Sequence, residues 1–114
     1  MEAEYKSMCP KYEKAVDLLG KRWTALILYC LMDRPRRFTE MREFVAGLSD
    51  RLLSERLQEL EEAGIVERRV HAVRPVLIEY SLTDKGSDLR KVVEAIAAWA
   101  HQWDPSPDPT HSPG

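Results

Sequence analysis

Residues 39–63 constrain the fold more than any other part of this chain, because they predict two helices separated by a short turn. Thr39 is a suitable N-cap for a first helix that runs to about residue 45. Residues 46–48, Ala-Gly-Leu, provide the turn, and Ser49 caps a second, longer helix that ends at Gly64. The second helix has an apolar stripe at spacings of four and three residues, formed by Leu53, Leu57 and Leu60. This order predicts a helix-turn-helix unit.

Directly after Gly64 the apolar pattern changes from helical to strand-like. Residues 65–73 and 76–82 are rich in β-branched and aromatic side chains, and Arg74-Pro75 lies between them, so a two-stranded hairpin is predicted. In proteins with this order of elements, one helix can enter the major groove of DNA while the hairpin lies along the backbone or the minor groove beside it. The fold class predicted is therefore mainly α with a small β-hairpin (α+β), a winged helix-turn-helix.

Helices are also predicted on both sides of this unit. Residues 12–19 carry apolar side chains at helical spacing, and residues 22–32 predict a buried central helix that ends at Asp33-Arg34-Pro35. A last helix starts at a Thr83-Asp84 cap and runs to about residue 103. It is more apolar than one small domain needs, so we expect the N- and C-terminal helices to form a dimer seam. The side chains assigned to that seam are Tyr5, Met8, Tyr12, Val92, Ile96, Trp99 and Trp103.

Length and composition fit a single domain over residues 1–103, followed by a proline-rich tail, residues 104–114, that we expect to be disordered. The apolar runs are too short to span a membrane, and the acidic first residues do not resemble a secretory signal, so a cytoplasmic protein is expected. The net charge of −2 means that a DNA-binding surface requires local segregation of charge. Such segregation is present, because residues 34–42 contain four arginines and one acid.

The sequence contains no pattern typical of an enzyme. It has no glycine-rich phosphate loop and no His-Glu metal spacing, and Cys9 and Cys30 are too far apart for a usual zinc motif. We therefore expect no catalysis, no cofactor and no metal.

The second helix of the motif presents polar side chains outward when its leucines point inward. Arg51 is predicted to reach a guanine edge or a phosphate, Glu55 to accept from cytosine or orient Arg51, and Ser49 to hold a phosphate at the helix start. The alternative is a solvated face with an Arg51–Glu55 ion pair. Arginines before the first helix and on the hairpin are assigned to the DNA backbone, with solubility alone as the alternative role. Arg68 and Arg69 lie on opposite sides of the strand, so only one of them is expected to touch DNA. The predicted DNA contacts are Arg36, Arg37, Thr39, Ser49, Asp50, Arg51, Ser54, Glu55, Arg68, Arg69 and Arg74.

Several longer motifs occur in a fixed order. They are Leu-Gly-Lys-Arg-Trp-Thr at 19–24, Arg-Phe-Thr-Glu-Met at 37–41, Leu-Ser-Asp-Arg-Leu-Leu-Ser-Glu-Arg-Leu at 48–57, Leu-Glu-Glu-Ala-Gly-Ile-Val-Glu-Arg at 60–68 and Glu-Tyr-Ser-Leu-Thr at 79–83. Together they resemble the HxlR family of winged-helix regulators, relatives of the MarR type, over about residues 9–103. The resemblance implies a cytoplasmic homodimer on a palindromic operator in double-stranded DNA, with repression as the family-level expectation. It also implies a response to oxidants, electrophiles or aldehydes.

Two features depart from the usual family pattern. Gly20 is followed by Lys21 and Arg22 where the family usually has a second glycine, and at the hairpin tip Arg74 stands in for a displaced basic residue.

Cys9-Pro10 matches the position of the cysteine that sensors of this family carry just ahead of the first helix. A thiolate is favoured at a helix N-terminus, and Lys6 and Lys11 add positive charge nearby, so Cys9 is a candidate redox sensor. Three alternatives stay open: Cys9 is structural, a small hydrophobic effector binds at the dimer seam, or the fold serves as a protein-interaction module. Cys30 lies in the most apolar helix and is expected to be an inert core residue.

Overall fold

Two helices at the centre of the chain, followed by an antiparallel sheet, form the frame of the protein. The computed structural model describes residues 8–107. The helices are α1 (Pro10–Leu19), α2 (Thr24–Leu31), α3 (Phe38–Phe44), α4 (Asp50–Glu62), α5 (Asp84–Ser87) and α6 (Arg90–Trp103), and the strands are β1 (Arg36–Arg37), β2 (Val66–His71) and β3 (Leu77–Leu82). The predicted winged helix-turn-helix is confirmed, with α3 and α4 as its two helices and β2 and β3 as its hairpin.

The hydrophobic core joins the helix-turn-helix unit to α2. The predicted stripe of α4 is confirmed, since its three leucines are completely buried. They pack with Ile27 and Leu28 of α2 and with Met41 of α3, which are also buried. Because one face of α4 is fixed in this core, its opposite face is presented to solvent.

The central helix begins at Thr24, two residues later than predicted, because Trp23 takes a left-handed backbone conformation with φ of +83°. This conformation costs a non-glycine residue about 1–3 kcal/mol and needs support from its surroundings. The Trp23 ring lies beside the turn of the helix-turn-helix, where its Cη2 atom is 3.5 Å from the position a Cβ would take on Gly47. The expectation that α2 is buried on nearly all sides was wrong for Leu26 and Tyr29, which are about half exposed.

The sheet has three strands, one more than the predicted hairpin. β3 lies in the middle and pairs antiparallel with both β2 and β1. The register places Arg37 and Arg69 on either side of Glu79, and Arg36 and Arg68 on either side of Tyr80. A strand of two residues has no alternating pattern, so β1 could not be recognised from the sequence.

The predicted last helix is divided into α5 and α6 by Asp88 and Leu89. Thr83 caps α5 as predicted, because its hydroxyl oxygen accepts from the Gly86 N–H at 3.1 Å. Gly86 lies so close to the residue before β2 that a Cβ on it would overlap the carbonyl oxygen of Ile65. This contact fixes the short helix against the sheet, and the chain turns before α6 begins.

Candidate nucleic-acid interface

The N-terminal half of α4 is an exposed polar surface. The Ser49 hydroxyl accepts from the Leu52 N–H at 3.1 Å, which confirms Ser49 as the N-cap. The Arg51 side chain is 87% exposed, and its Nε lies 3.4 Å from Glu55 Oε1, so the predicted ion pair is present but long. Ser54 is also exposed. This surface therefore combines hydrogen-bond donors and acceptors that no other part of the protein covers within residues 8–107.

An ion pair that the sequence did not reveal joins the two helices of the motif. Arg42 of α3 lies with its Nε 2.6 Å from Asp50 Oδ1, at the first turn of α4. The arginine balances the carboxylate on the surface where Asp50 is predicted to contact DNA, and so reduces its repulsion of phosphate. The pair forms across the turn, between residues whose spacing follows no local rule.

Thr39 was predicted to cap α3, and this was wrong because the helix already begins at Phe38. Arg37 is the N-cap residue, and its backbone N–H donates to Glu40 Oε1 at 2.8 Å. Arg34 Nη2 donates to Glu40 Oε2 at 3.0 Å. The backbone bond from Arg37, followed by the side-chain bond from Arg34, lowers the pKa of Glu40 from 4.5 to about 2.

We expect Glu40→Gln to make folding less sensitive to acid. Because the pKa of Glu40 is lower in the folded chain, its contribution to stability is complete above pH 4.5 and is lost as the pH falls towards about 2. The unfolding temperature of the wild type should fall through that window more steeply than that of Glu40→Gln. Circular dichroism melts across this range measure the difference, with the exposed neighbour Glu43→Gln as control. Parallel curves for wild type and Glu40→Gln would refute the assignment.

The two arginines of β1 have different environments. Arg36 Nε donates to the Cys30 carbonyl and its Nη2 to Asp33 Oδ1, both at 2.9 Å, and only 14% of its side chain is exposed. Its guanidinium also lies 5.5 Å from the centre of the Phe44 ring. The Arg37 side chain is 56% exposed and lies on the other face of the strand. The prediction of a phosphate contact is therefore kept for Arg37, whereas the internal bonds of Arg36 speak against one.

The hairpin carries paired and unpaired basic side chains. Arg68 and Arg69 occupy opposite faces of β2, as predicted. Arg69 Nε donates to Glu67 Oε1 at 2.6 Å, and His71 Nε2 lies 2.9 Å from Glu79 Oε1. Arg68 and Arg74 are exposed and form no ion pair within residues 8–107. Positive charge that is not paired with an acidic side chain of the described residues therefore lies on the Arg68 face of β2 and at the hairpin tip, at Arg74.

The two cysteines are in opposite environments. Cys9 is exposed and is the N-cap residue of α1, with Pro10 as the first helical residue, so its predicted position is confirmed. Cys30 is completely buried, and this burial raises the pKa of its thiol. Of the two thiols, only that of Cys9 is open to reagents in solution.

The residues assigned to the dimer seam are exposed in a single copy of the chain. Trp99 and Trp103 are 67% and 66% exposed, and they lie one helical turn apart on α6. Tyr5 lies outside the described residues. Apolar surface of this extent on one molecule is typical of an interface with another. The other exposed members of the set are Met8, Tyr12, Val92 and Ile96.

An apolar groove runs between α2 and α6, with a volume of about 270 Å³. Its walls include Leu26 and Tyr29 on one side and Ile96 and Ala97 on the other.

Within residues 8–107, no helix combines the length and apolar character needed to cross a bilayer. Over the same residues, no cluster of three or more histidine, cysteine or acidic side chains is suited to hold a metal ion.

Known proteins resemble this chain over most of its length. The family model for the HxlR-like helix-turn-helix matches residues 18–108. The uncharacterized HTH-type transcriptional regulator YvaP of Bacillus subtilis is 53% identical over 100 residues, which cover 87% of this chain and 93% of YvaP. The HTH-type transcriptional regulator YodB of the same organism is 50% identical over 97 residues, 85% of this chain and 87% of YodB.

Two solved structures have the same fold. Reduced YodB superposes with a TM-score of 0.76 at 48% identity, over 90% of this chain and 100% of the YodB chain. The redox regulator HypR in its oxidized form superposes with a TM-score of 0.78 at 34% identity, over 89% of this chain and 100% of the HypR chain.

Proposed function

Because this chain belongs to the HxlR-like helix-turn-helix family of DNA-binding transcriptional regulators, we propose that it acts in the cytoplasm as a homodimer that represses transcription from a palindromic operator. The family resemblance predicted from the motifs is confirmed, and so is the expectation that the chain is not an enzyme. The observation that carries the proposal is α4, whose apolar face is fixed in the core while its capped, polar N-terminal half stands exposed beside the hairpin.

In this proposal α4 enters the major groove. Arg51 donates to a guanine edge, which is the commonest base-specific contact of an arginine, and Ser54 lies one turn further along the same surface. The exposed Arg37 binds phosphate, and Arg74 at the hairpin tip extends the contact along the backbone. Arg69 lies on the same face of the sheet as Arg37, whereas Arg68 lies on the opposite face, so a backbone bound by Arg37 is within reach of Arg69 and not of Arg68. Pairing through α1 and α6 places two copies of α4 about 34–36 Å apart, one turn of DNA. Thr39, Ser49, Asp50, Glu55 and Arg69 complete the proposed contact surface.

Neutralising the two arginines of β1 one at a time tests this orientation. Each phosphate that a side chain neutralises adds about 0.9 to the slope of log affinity against log salt, so Arg37→Gln should reduce the slope by roughly 2 in a dimer. Arg36→Gln, the matched control, should leave the slope unchanged and lower the unfolding temperature instead, because it removes internal bonds. Fluorescence anisotropy with a labelled duplex over a range of salt measures both. A reduced slope for Arg36→Gln together with an unchanged one for Arg37→Gln would reverse the assignment.

We also propose that oxidants or electrophiles release the protein from DNA by modifying Cys9. Two observations support this. Cys9 is the exposed thiol, and it stands at the start of α1, next to the proposed dimer seam. In addition, YodB has been crystallised after diamide treatment and with quinone bound, and HypR is a redox regulator. A change at Cys9 would alter the packing of α1 and thereby the spacing of the two copies of α4, the recognition helix of each subunit.

The groove between α2 and α6 favours a second mode of regulation, in which a small hydrophobic effector binds without reacting with cysteine. Its apolar walls include Ile96, which also belongs to the proposed seam, so a bound molecule would bear on dimer geometry. A Cys9→Ser variant that still leaves DNA when the effector is added would support this mode. Family membership argues against the remaining alternative, an interaction module without DNA binding.

A further inference from the structure

The loop of residues 20–23, between α1 and α2, is bonded to the C-terminal half of the recognition helix. Arg56 Nε donates to the Arg22 carbonyl at 3.2 Å, and its Nη1 lies 3.4 Å from Glu59 Oε1. Lys21 Nζ donates to Glu59 Oε2 at 2.9 Å, which lowers the pKa of Glu59. The bonds to Arg22 and Lys21 join residues that are 34 and 38 positions apart, so they hold α4 to a part of the chain outside the helix-turn-helix.

Arg56 is directed away from the surface proposed to bind DNA. Only 17% of its side chain is exposed, against 87% for Arg51 on the same helix. The two residues are five positions apart, which places them about 140° apart around the helix axis. A guanidinium that is largely buried needs hydrogen-bond acceptors within the protein. The Arg22 carbonyl and Glu59 provide them. Arg56 therefore serves a contact inside the protein.

The loop reached by Arg56 also touches the turn of the helix-turn-helix. Its last residue, Trp23, has a φ of +83° and places its ring against Gly47. The Arg22 guanidinium lies 4.6 Å from the centre of that ring. A tryptophan remains in this backbone region only where neighbouring contacts determine its position. The loop of residues 20–23 therefore contacts the recognition motif at two places. One is Gly47, in the turn before α4, and the other is formed by Arg56 and Glu59, in the C-terminal half of α4.

We propose that Arg56 is a positioning residue for DNA recognition. Its bond to the Arg22 carbonyl fixes the orientation of α4 relative to the loop after α1, and so determines where Arg51 and Ser54 stand in the major groove. Arg56 itself contacts no DNA. This inference rests on the proposed function, because it requires α4 to read base edges.

Arg56→Gln tests the inference through specificity, since Gln keeps a polar side chain but cannot span the same bonds. The probes are a DNA duplex from the region upstream of the gene that encodes this protein and a shuffled duplex of equal length and composition. We expect affinity for the upstream duplex to fall about tenfold or more. Affinity for the shuffled duplex and the salt slope should stay at wild-type values, because phosphate contacts and their counterions are unchanged.

Two further variants separate positioning from charge and from stability. Arg56→Lys keeps the charge without the planar fork, so it should not restore wild-type specificity. Leu60→Val loosens the core beneath α4 without touching the loop, and should leave the ratio of the two affinities unchanged. If Arg56→Gln kept the wild-type ratio of the two affinities, or lowered the slope of log affinity against log salt, this inference would be overturned while the proposed function would stand. A wild type that binds both duplexes equally would overturn the proposed function, and this inference with it.

Discussion

Replacing Trp99 by alanine is expected to weaken the proposed dimer by about 3–5 kcal/mol, which raises the dissociation constant by roughly two to three and a half powers of ten. Trp99 is 67% exposed in a single copy of the chain, so its removal creates no cavity in the monomer core. It shares one face of α6 with Val92, Ile96 and Trp103, all of them exposed. A large aromatic residue within such a patch is typical of an interface hot spot. Sedimentation velocity over a range of concentrations measures the effect.

The matched control is Glu94→Ala, because Glu94 is exposed and lies about 140° around α6 from Trp99. This variant should dimerise like the wild type. If Trp99→Ala also dimerised like the wild type, the seam would have to lie elsewhere, and the spacing proposed for the two recognition helices would lose its basis.

Cys9→Ser is expected to abolish the response to oxidants. We expect diamide to lower the affinity of the wild type for its DNA by about 5- to 150-fold, the usual range of coupling between two sites, and a thiol reductant to restore it. Reaction requires an accessible thiolate, and Cys9 is exposed. Serine can take the same N-cap position, but it has no thiol for diamide to oxidise. Affinity measured before treatment, after diamide and after reduction gives the result.

Cys30→Ala provides the control for this experiment. The Cys30 thiol is buried and its pKa is raised, so diamide should not reach it and the variant should respond like the wild type. If Cys9→Ser still released DNA after oxidation, while Cys30→Ala did not, the sensor would be Cys30 exposed by an opening of the core. If both variants still responded, Cys9 would not be required for release, and the proposal that it is the sensor would fail.

The parts of the fold that local chemistry determines could be predicted from the sequence. Ser49 caps α4 because its side chain reaches an N–H three residues ahead, and Gly64 follows the helix with a φ of +76°. The leucine stripe is buried because its spacing follows the helical repeat. These signals lie within a few residues of the structure they specify, so the helix-turn-helix and the hairpin could be recognised from the amino-acid pattern.

The features that could not be predicted depend on contacts between distant segments. β1 is a strand only because β3 offers it partners, and the left-handed Trp23 is supported by a glycine 24 positions later. Runs of arginine look alike in a sequence, yet Arg36 is turned towards Cys30 and Asp33 while Arg37 faces solvent. The exposed polar face of α4 was therefore predicted correctly, whereas the division of the arginines into structural and exposed groups required the packing.

The most direct test of the central claim, that α4 reads DNA sequence, compares wild type and Arg51→Ala on the upstream duplex and on its shuffled counterpart. We expect the wild type to prefer the upstream duplex by a factor on the order of 10³ or more at physiological salt. Arg51→Ala should cost about 1–3 kcal/mol on that duplex, relax the preference at one base pair of each half-site, and bind the shuffled duplex almost as before. Equal affinity of the wild type for both duplexes, or an Arg51→Ala variant that discriminates as well as the wild type, would contradict it.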